Sequence, residues 1–270
     1  RHTPSMKVGV ILPIGDTDGP NGAAPTFEDI VAVARAVEDT GLDSGWVADH
    51  LFYHSKDGGE YGIHEAWTVL AGVAARTSRI ELGTMVLCTS FRNAVMTAKM
   101  AAALDVVSNG RLILGLGSGW HEPEYEAMGL PFREQFGRFE ERLEVIVRLL
   151  RGERVTLDGR YEHFRDAVLV PPPTRRIQVL VAGRKPRMLG LTARWADAWN
   201  TAWYGLPDDR ARAQFAALDE ALDAAGRPRD ALERTVGIEL RDPDQPAVPE
   251  PSELAFAGDA DGIVGLLEAW

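Results

Sequence analysis

The stretch Gly110–Phe132, GRLILGLGSGWHEPEYEAMGLPF, holds five glycines within 23 residues and begins with an apolar run. Glycines at this density allow another group to approach the backbone closely. The dinucleotide-binding fingerprint is excluded, because Trp120 stands where that pattern requires a glycine. A phosphate-binding P-loop is excluded as well, since no Gly-Lys-Ser/Thr ending follows. The glycines therefore need a different structural context.

Outward from this stretch, short apolar strands alternate with amphipathic helices. The first helix begins at a predicted capping box, Thr26 with Asp29. The pattern predicts seven strands: Met6–Leu12, Ser44–Ala48, Ile80–Leu87, Arg111–Leu116, Ile177–Val181, Asp197–Asn200 and Thr235–Leu240. Strands and helices that alternate in this way form parallel β-α-β units. We therefore predict an α/β fold, a (β/α)8 TIM barrel forming one domain over residues 1–270.

Two regions depart from the regular alternation. Residues 153–170 predict an inserted β-hairpin, with Asp158-Gly159 as a tight turn between two strand-forming runs. The seven strands also leave an eight-stranded barrel one strand short. We expect the chain to continue past Trp270 with a glycine-containing turn and a short apolar strand that pairs with Met6–Leu12. In the alternative interpretation, Glu253–Gly258 is the eighth strand.

Composition narrows the class of protein. The 270 residues are 45% hydrophobic and 26% charged, as in ordinary globular proteins, and the net charge is −11. An acidic balance argues against a nucleic acid or an anionic membrane as partner. The single cysteine, Cys88, excludes an internal disulfide framework and a cysteine zinc cluster, and a reducing cytoplasm is the expected compartment. No apolar run reaches the roughly 18 residues of a membrane span.

Candidate site residues lie where predicted strands end, because barrels bind ligands at the carboxyl ends of their strands. Asp49 and His50 follow the second strand, and Ser118-Gly119 and Ala182-Gly183 follow two later ones. Backbone N–H groups in such glycine-rich loops can bind an anion or a ring. Two simpler interpretations stay open: the glycines only let the loops turn sharply, and Asp49-His50 is a surface turn.

Other residues have side chains that could take part in a reaction, but they have simpler explanations. Cys88 is more typical of packing than of a nucleophile. For Trp120 and Trp203, two interpretations stay open: contact with an aromatic ligand, or a place in the hydrophobic core. A solvated, negatively charged helix start explains three carboxylates, Glu122, Glu124 and Glu126. We predict no metal site, since His50, His54 and His64 share no evident helix or strand face.

These motifs together resemble the bacterial luciferase-like monooxygenase superfamily, and most closely its branch that uses the deazaflavin coenzyme F420. The resemblance covers nearly the whole chain in order. The segments that carry it are DSGWVADH, RIELGTMVL, FRNAVMTAKMAAALDVVSNGRLILGLGSGWHEPEYEAMGLPF, VTLDGRYEHFRDAVLVPPP, VLVAG and ADAWNT. The resemblance implies a (β/α)8 barrel with an insertion, which accounts for the predicted hairpin.

The resemblance also implies roles for individual residues. Asp49 would contact the polar edge of the cofactor ring, and His50 would lie near its reactive face as the catalytic proton donor or acceptor. Met85-Val86 matches a cis peptide that packs against the ring in relatives, and Cys88 stands where some relatives have threonine. Four residues match positions near the ribityl-phosphate tail: Ser118, Gly119, Ala182 and Gly183.

Two positions depart from the sugar-phosphate dehydrogenase branch. Trp120 replaces that branch's catalytic glutamate, and His54 replaces its tryptophan, so that specific activity is not expected. The main hypothesis is an F420-dependent oxidoreductase that transfers a hydride to or from a small organic substrate. The alternatives are an FMN-dependent luciferase-like monooxygenase that uses oxygen, and a flavin-binding protein without catalysis. The expected partner is a small molecule, and a homodimer stays open.

Overall fold

The computed structural model describes residues 6–54, 59–241 and 255–270. The chain forms two compact units, one covering residues 1–179 and the other residues 180–270. The prediction of a single domain stays a prediction.

The first unit is built from parallel strands joined by helices. Its described elements are, in chain order, β1 (Gly9–Ile11), α1 (Phe27–Asp39), β2 (Ser44–Val47), β3 (Phe52–His54), β4 (Glu60–Gly62), α2 (Ala66–Arg76), β5 (Glu81–Thr84), β6 (Leu87–Cys88), α3 (Ala94–Val107), β7 (Leu112–Gly117), α4 (Glu122–Ala127), α5 (Gln135–Leu150), β8 (Val155–Asp158) and β9 (His163–Ala167).

The sheet of the first unit places three strand ends side by side. Its strands lie in the order β1-β2-β5-β7, all parallel, and β6 pairs with the last two residues of β7. Residues Val47, Leu82 and Leu114 of these strands are fully buried. Because the strands are parallel, the loops that follow β2, β5 and β7 leave the sheet at the same edge.

The second unit repeats the same design. Its described elements are β10 (Gln178–Ala182), which begins two residues before the unit, then α6 (Pro186–Trp195), β11 (Ala198–Tyr204), α7 (Asp209–Ala224), β12 (Glu233–Ile238), β13 (Leu240–Arg241), β14 (Phe256–Ala257) and α8 (Ala260–Glu268). Strands β10, β11 and β12 pair in parallel in that order. The Trp199 side chain is fully buried and packs edge-on against Phe215.

The structure confirms the predicted strands, with two of them interrupted. The predicted strand Ile80–Leu87 is divided at Met85-Val86 into β5 and β6, and Thr235–Leu240 is divided into β12 and β13. The inserted hairpin is confirmed as the antiparallel pair β8–β9, but its loop is longer than a tight turn, since Gly159 N donates to Glu162 O. The antiparallel pair β3–β4 was not predicted, whereas the helix start expected at Glu122 is present as the short helix α4.

The alternative eighth strand is present only as a short segment. Residues 251–254 lie outside the described part of the chain. Beyond them, Phe256–Ala257 pairs in parallel with Leu240–Arg241, and Phe256 N donates to Glu239 O at 2.8 Å. The expected continuation past Trp270 stays a prediction.

Side chains fix the starts of the helices. The predicted capping box of α1 is confirmed: Asp29 N donates to the Thr26 hydroxyl at 3.2 Å, and Thr26 N donates to the Asp29 carboxylate at 2.8 Å. Glu65 and Asn93 accept hydrogen bonds from the first turns of α2 and α3. Among the residues described, none of the helices combines the length and the apolar character that crossing a bilayer requires.

A carboxylate at the end of α1 positions β5. Glu38 accepts hydrogen bonds from the backbone N–H groups of Ser78, Arg79 and Ile80, at 2.9, 2.7 and 3.2 Å. Partial burial disfavours its charge, but these hydrogen bonds outweigh the burial and lower the pKa of Glu38 to about 2. The ionised form of Glu38 therefore holds the segment that leads into β5.

We expect Glu38→Gln to lower the free energy of unfolding at pH 7. The folded-state pKa lies below the ordinary value of 4.5, so the stabilisation is present above pH 4.5 and is lost as the pH falls toward about 2. The difference between Glu38→Gln and the wild type should therefore shrink between pH 5 and pH 2. Urea unfolding at several pH values measures it, with Asp39→Asn at the exposed neighbour as control. If the unfolding free energies of Glu38→Gln and the wild type differed equally at every pH, the lowered pKa of Glu38 would be contradicted.

Candidate functional site

Three loops meet at the carboxyl edge of the first unit's sheet. Asp49 and His50 follow β2, Met85 and Val86 join β5 to β6, and the loop that begins at Ser118 follows β7. The Met85-Val86 peptide is cis, as predicted. The structure thus brings together seven of the nine predicted site residues: Asp49, His50, Met85, Val86, Cys88, Ser118 and Gly119.

Asp49 ties the loop after β2 to the segment after β5. Its carboxylate is 4% exposed and accepts a hydrogen bond from Cys88 N at 2.8 Å. The same carboxylate pairs with both terminal nitrogens of Arg92, at 2.7 and 3.0 Å. Arg92 also contacts Glu65 at 2.5 Å, so one cation joins two carboxylates. Sequence reasoning missed Arg92, because its partner Asp49 lies 43 residues earlier in the chain.

His50 is held by a buried glutamate. Its Nδ1 lies 2.9 Å from Glu124 Oε2, and Glu124 is 1% exposed. The other carboxylate oxygen accepts from the backbone N–H groups of Leu51 and Phe52, at 2.5 and 3.4 Å. Burial disfavours the carboxylate charge, but the hydrogen bonds from His50 and the two amides outweigh it and lower the pKa of Glu124.

This contact fixes the tautomer of His50. An ionised carboxylate only accepts hydrogen bonds, so Nδ1 carries a proton and the neutral ring keeps its lone pair on Nε2. Among the described residues, no hydrogen-bond partner is found for Nε2. The side chain is 15% exposed. A histidine oriented by a buried carboxylate, with a free second nitrogen, can act as a general acid or base.

The expectation of a solvated helix start is wrong for Glu124. Glu122 and Glu126 are exposed on α4, as expected, but Glu124 points into the protein. The sequence offers little signal for this difference, because α4 has six residues and is too short to show a helical period. The partner of Glu124, His50, lies 74 residues away in the chain.

Two glycines of the opening stretch, Gly115 and Gly119, make room for protein atoms. A Cβ on Gly115 would lie 1.9 Å from Thr84 O, where β5 and β7 are close. Gly119 has φ +77°, and a Cβ there would lie 2.3 Å from Tyr125 Oη and 2.6 Å from Cys88 Sγ. Close packing and backbone conformation therefore account for both glycines without a ligand.

Tyr125 and Cys88 support the loop that begins at Ser118. The buried Tyr125 hydroxyl donates to Ser118 O and lies 3.5 Å from Cys88 Sγ. Burial raises the pKa of the Cys88 thiol, which therefore stays protonated at neutral pH. This environment agrees with a packing role for Cys88 and not with a nucleophile.

Ala182 and Gly183 belong to the second unit. Ala182 ends β10, and Gly183 leads toward the start of α6 with φ +142°. Gly183 O accepts a hydrogen bond from Trp199 Nε1 at 2.8 Å. The predicted contact of Ala182 and Gly183 with a cofactor tail stays a prediction.

Aromatic rings surround His50. Trp120 lies edge-on to His50 with ring centroids 5.6 Å apart, and Tyr53 lies 4.4 Å from His50. Trp120 is nevertheless 63% exposed, so it is not the core residue that one interpretation of the sequence allowed. No group of three metal-ligating side chains is found in the described ranges.

The fold and site define a class of α/β proteins that carry chemistry in loops at the carboxyl edge of a parallel sheet. Comparison with known proteins identifies the family. The sequence profile of the luciferase-like monooxygenases matches residues 6–241, and the chain belongs to this family.

Two relatives are F420-dependent glucose-6-phosphate dehydrogenases. The protein of Kineococcus radiotolerans is 35% identical over 219 residues, which are 79% of this chain and 64% of the relative. That of Amycolatopsis mediterranei is 32% identical and covers 78% of this chain and 64% of the relative. The chain thus spans about 64% of the length of these curated relatives.

Solved structures confirm the fold class. The monooxygenase RslO1 from Streptomyces bottropensis has a TM-score of 0.73 at 26% identity, over 87% of this chain and 70% of that one. An F420-dependent secondary alcohol dehydrogenase in complex with an F420-acetone adduct has a TM-score of 0.72 at 20% identity, over 85% and 68%. The α/β fold class predicted from the sequence, that of the luciferase-like TIM-barrel enzymes, is therefore confirmed.

We expect Glu124→Gln to destabilise the protein by about 1–3 kcal/mol. The amide group of glutamine would turn a donor toward either His50 Nδ1–H or the Leu51 amide, which leaves a buried donor without an acceptor. Urea unfolding at pH 7 measures the change. The same substitution at the exposed position Glu126, on the same helix, should change stability by less than about 0.5 kcal/mol. Equal effects at the two positions would show that the Glu124 contacts are not formed in solution.

Proposed function

We propose that the protein is an oxidoreductase that uses coenzyme F420 to transfer a hydride to or from a small organic substrate. His50 is the proton acceptor or donor in this reaction. The single observation that carries the proposal is the fixed tautomer of His50, whose free Nε2 stands at the carboxyl edge of the sheet. The curated relatives, which are F420-dependent dehydrogenases by name, support the choice of cofactor.

The proton and the hydride are accounted for separately. When an alcohol is oxidised to a carbonyl compound, His50 Nε2 would accept the hydroxyl proton, and the bound cofactor would supply the acceptor of the hydride. In the opposite direction, protonated Nε2 would donate its proton to the carbonyl oxygen. The negative charge of Glu124 stabilises the protonated ring in either direction.

The residues of the first unit fit a deazaflavin. Three hydrogen bonds reach the Asp49 carboxylate, and an ionised carboxylate has about four acceptor positions, so one remains for the polar edge of the ring. Among the described residues, the Ser118 hydroxyl makes only a long contact of 3.4 Å with its neighbour Gly119 O, which leaves it able to bind the ribityl-phosphate tail. Met85 and Val86 would contact the ring. The bound cofactor supplies a carbon that accepts or donates the hydride.

We expect the purified protein to bind F420 at least about tenfold more tightly than FMN, a difference of about 1.4 kcal/mol. Separate titrations followed by cofactor fluorescence measure the two affinities. FMN is the cofactor of the alternative function, that of a luciferase-like monooxygenase. RslO1 is a monooxygenase by name. Tight binding of FMN without binding of F420 would favour that alternative and contradict the proposal.

His50→Asn is the sharper test of the catalytic role. The asparagine amide can still donate to Glu124 from near the position of Nδ1, but no base remains at the position of Nε2. Turnover with F420 should fall by about 10²–10⁴-fold, while urea unfolding changes little. His50→Ala should also lose stability, because it removes a partner of the buried carboxylate.

The control is His163→Asn, the same substitution on the exposed hairpin of the first unit. Its turnover and its affinity for F420 should equal those of the wild type. Unchanged turnover in His50→Asn, with F420 still bound, would show that His50 has only a structural role.

A further inference from the structure

Trp120, Tyr53 and His121 form a continuous aromatic surface beside His50, called here the aromatic shelf. Trp120 and Tyr53 are stacked, with ring centroids 6.0 Å apart and an interplanar angle of 25°. His121 lies 5.2 Å from Trp120 and 5.9 Å from Tyr53. The rings therefore support one another and hold the indole of Trp120 in place.

The aromatic shelf is exposed to solvent, whereas aromatic rings in a hydrophobic core are buried. Trp120 is 63% exposed although three rings pack against it, so much of its apolar surface faces solvent. A rigid, exposed indole beside a residue that can transfer a proton is typical of a ligand contact, because a bound apolar group would remove this surface from water.

The charges around the shelf disfavour an anionic ligand. Burial raises the pKa of the Tyr53 hydroxyl and lowers the pKa of His121, so both side chains are neutral near pH 7. Glu124, beneath His50, is negative. Among the described residues, no arginine or lysine stacks on Trp120 or Tyr53, and Arg92 is engaged by Asp49 and Glu65. On the described part of this surface, a phosphate group would therefore find no cation stacked on these rings.

We infer that the aromatic shelf binds the planar, apolar part of a neutral substrate, an aryl ketone or the corresponding secondary alcohol. This inference rests on the proposed function. The carbonyl group of such a substrate lies toward His50 Nε2, and the aryl ring stacks on Trp120. In reduction, the carbonyl carbon receives the hydride from reduced F420 and its oxygen takes the proton from Nε2, which gives the alcohol. Glucose 6-phosphate, named for the curated relatives, lacks an aryl ring and carries a phosphate that the shelf does not accommodate.

Binding to the protein without cofactor tests the shelf. Calorimetric titration of the wild type should detect acetophenone, and should detect cyclohexyl methyl ketone at least about tenfold more weakly because it lacks a flat ring. Glucose 6-phosphate should show no binding. Trp120→Ala should weaken acetophenone binding at least about tenfold, and Trp120→Phe by less than about threefold, because phenylalanine keeps an aromatic ring on which the ligand can stack.

Matched controls separate the loss of the Trp120 contact from general effects of a tryptophan substitution on the protein. Trp195→Ala, the same substitution on α6 of the second unit, should leave acetophenone binding unchanged. Thermal unfolding of Trp120→Ala should resemble that of the wild type, because the side chain is exposed. Acetophenone binding that Trp120→Ala does not weaken, or binding of glucose 6-phosphate by the wild type, would overturn the inference.

Titration with F420 distinguishes failure of the shelf from failure of the proposed function. If Trp120→Ala loses affinity for F420 but not for acetophenone, the shelf contacts the cofactor and the inference is overturned, while the proposed function stands. If the wild type binds acetophenone through Trp120 but does not bind F420, the proposed function fails and the substrate subsite stands.

Discussion

The carboxylate of Glu124 lies almost completely out of contact with water, and the functional edge of the first unit depends on how its charge is compensated. A buried ionised group is tolerated only where hydrogen bonds replace its hydration. Here His50 and the backbone amides of Leu51 and Phe52 supply them. The loop after β2 is therefore held against α4, and the orientation of His50 follows from the same contacts.

A second carboxylate holds the loop from the other side. Asp49, next to His50, binds Cys88 N and Arg92, and Arg92 also binds Glu65 at the start of α2. Adjacent residues thus have partners on different elements, which fixes the backbone between them in two directions. This arrangement leaves Nε2 of His50 available for chemistry, because Glu124 engages only Nδ1.

The aromatic neighbours of His50 set the surroundings of its second ring nitrogen. Trp120 exposes its indole ring beside His50, and Tyr53 and His121 pack against that ring. In the proposed function, His50 carries the proton transfer and the aromatic shelf contacts the substrate.

The sequence by itself determined the alternation of parallel strands and helices, the inserted hairpin and the loops that carry the site. Those features depend on local patterns: apolar periodicity, the capping box of Thr26 with Asp29, and turns. The resemblance to a family added the cis peptide at Met85-Val86, which local pattern does not predict. Only the tertiary structure decided that Glu124 is buried while Glu122 and Glu126 are exposed, and that the glycines accommodate Thr84, Tyr125 and Cys88. The physical reason is distance along the chain: the partners of Glu124 and Asp49 lie 74 and 43 residues away, and neither spacing nor composition records which side chains folding brings together.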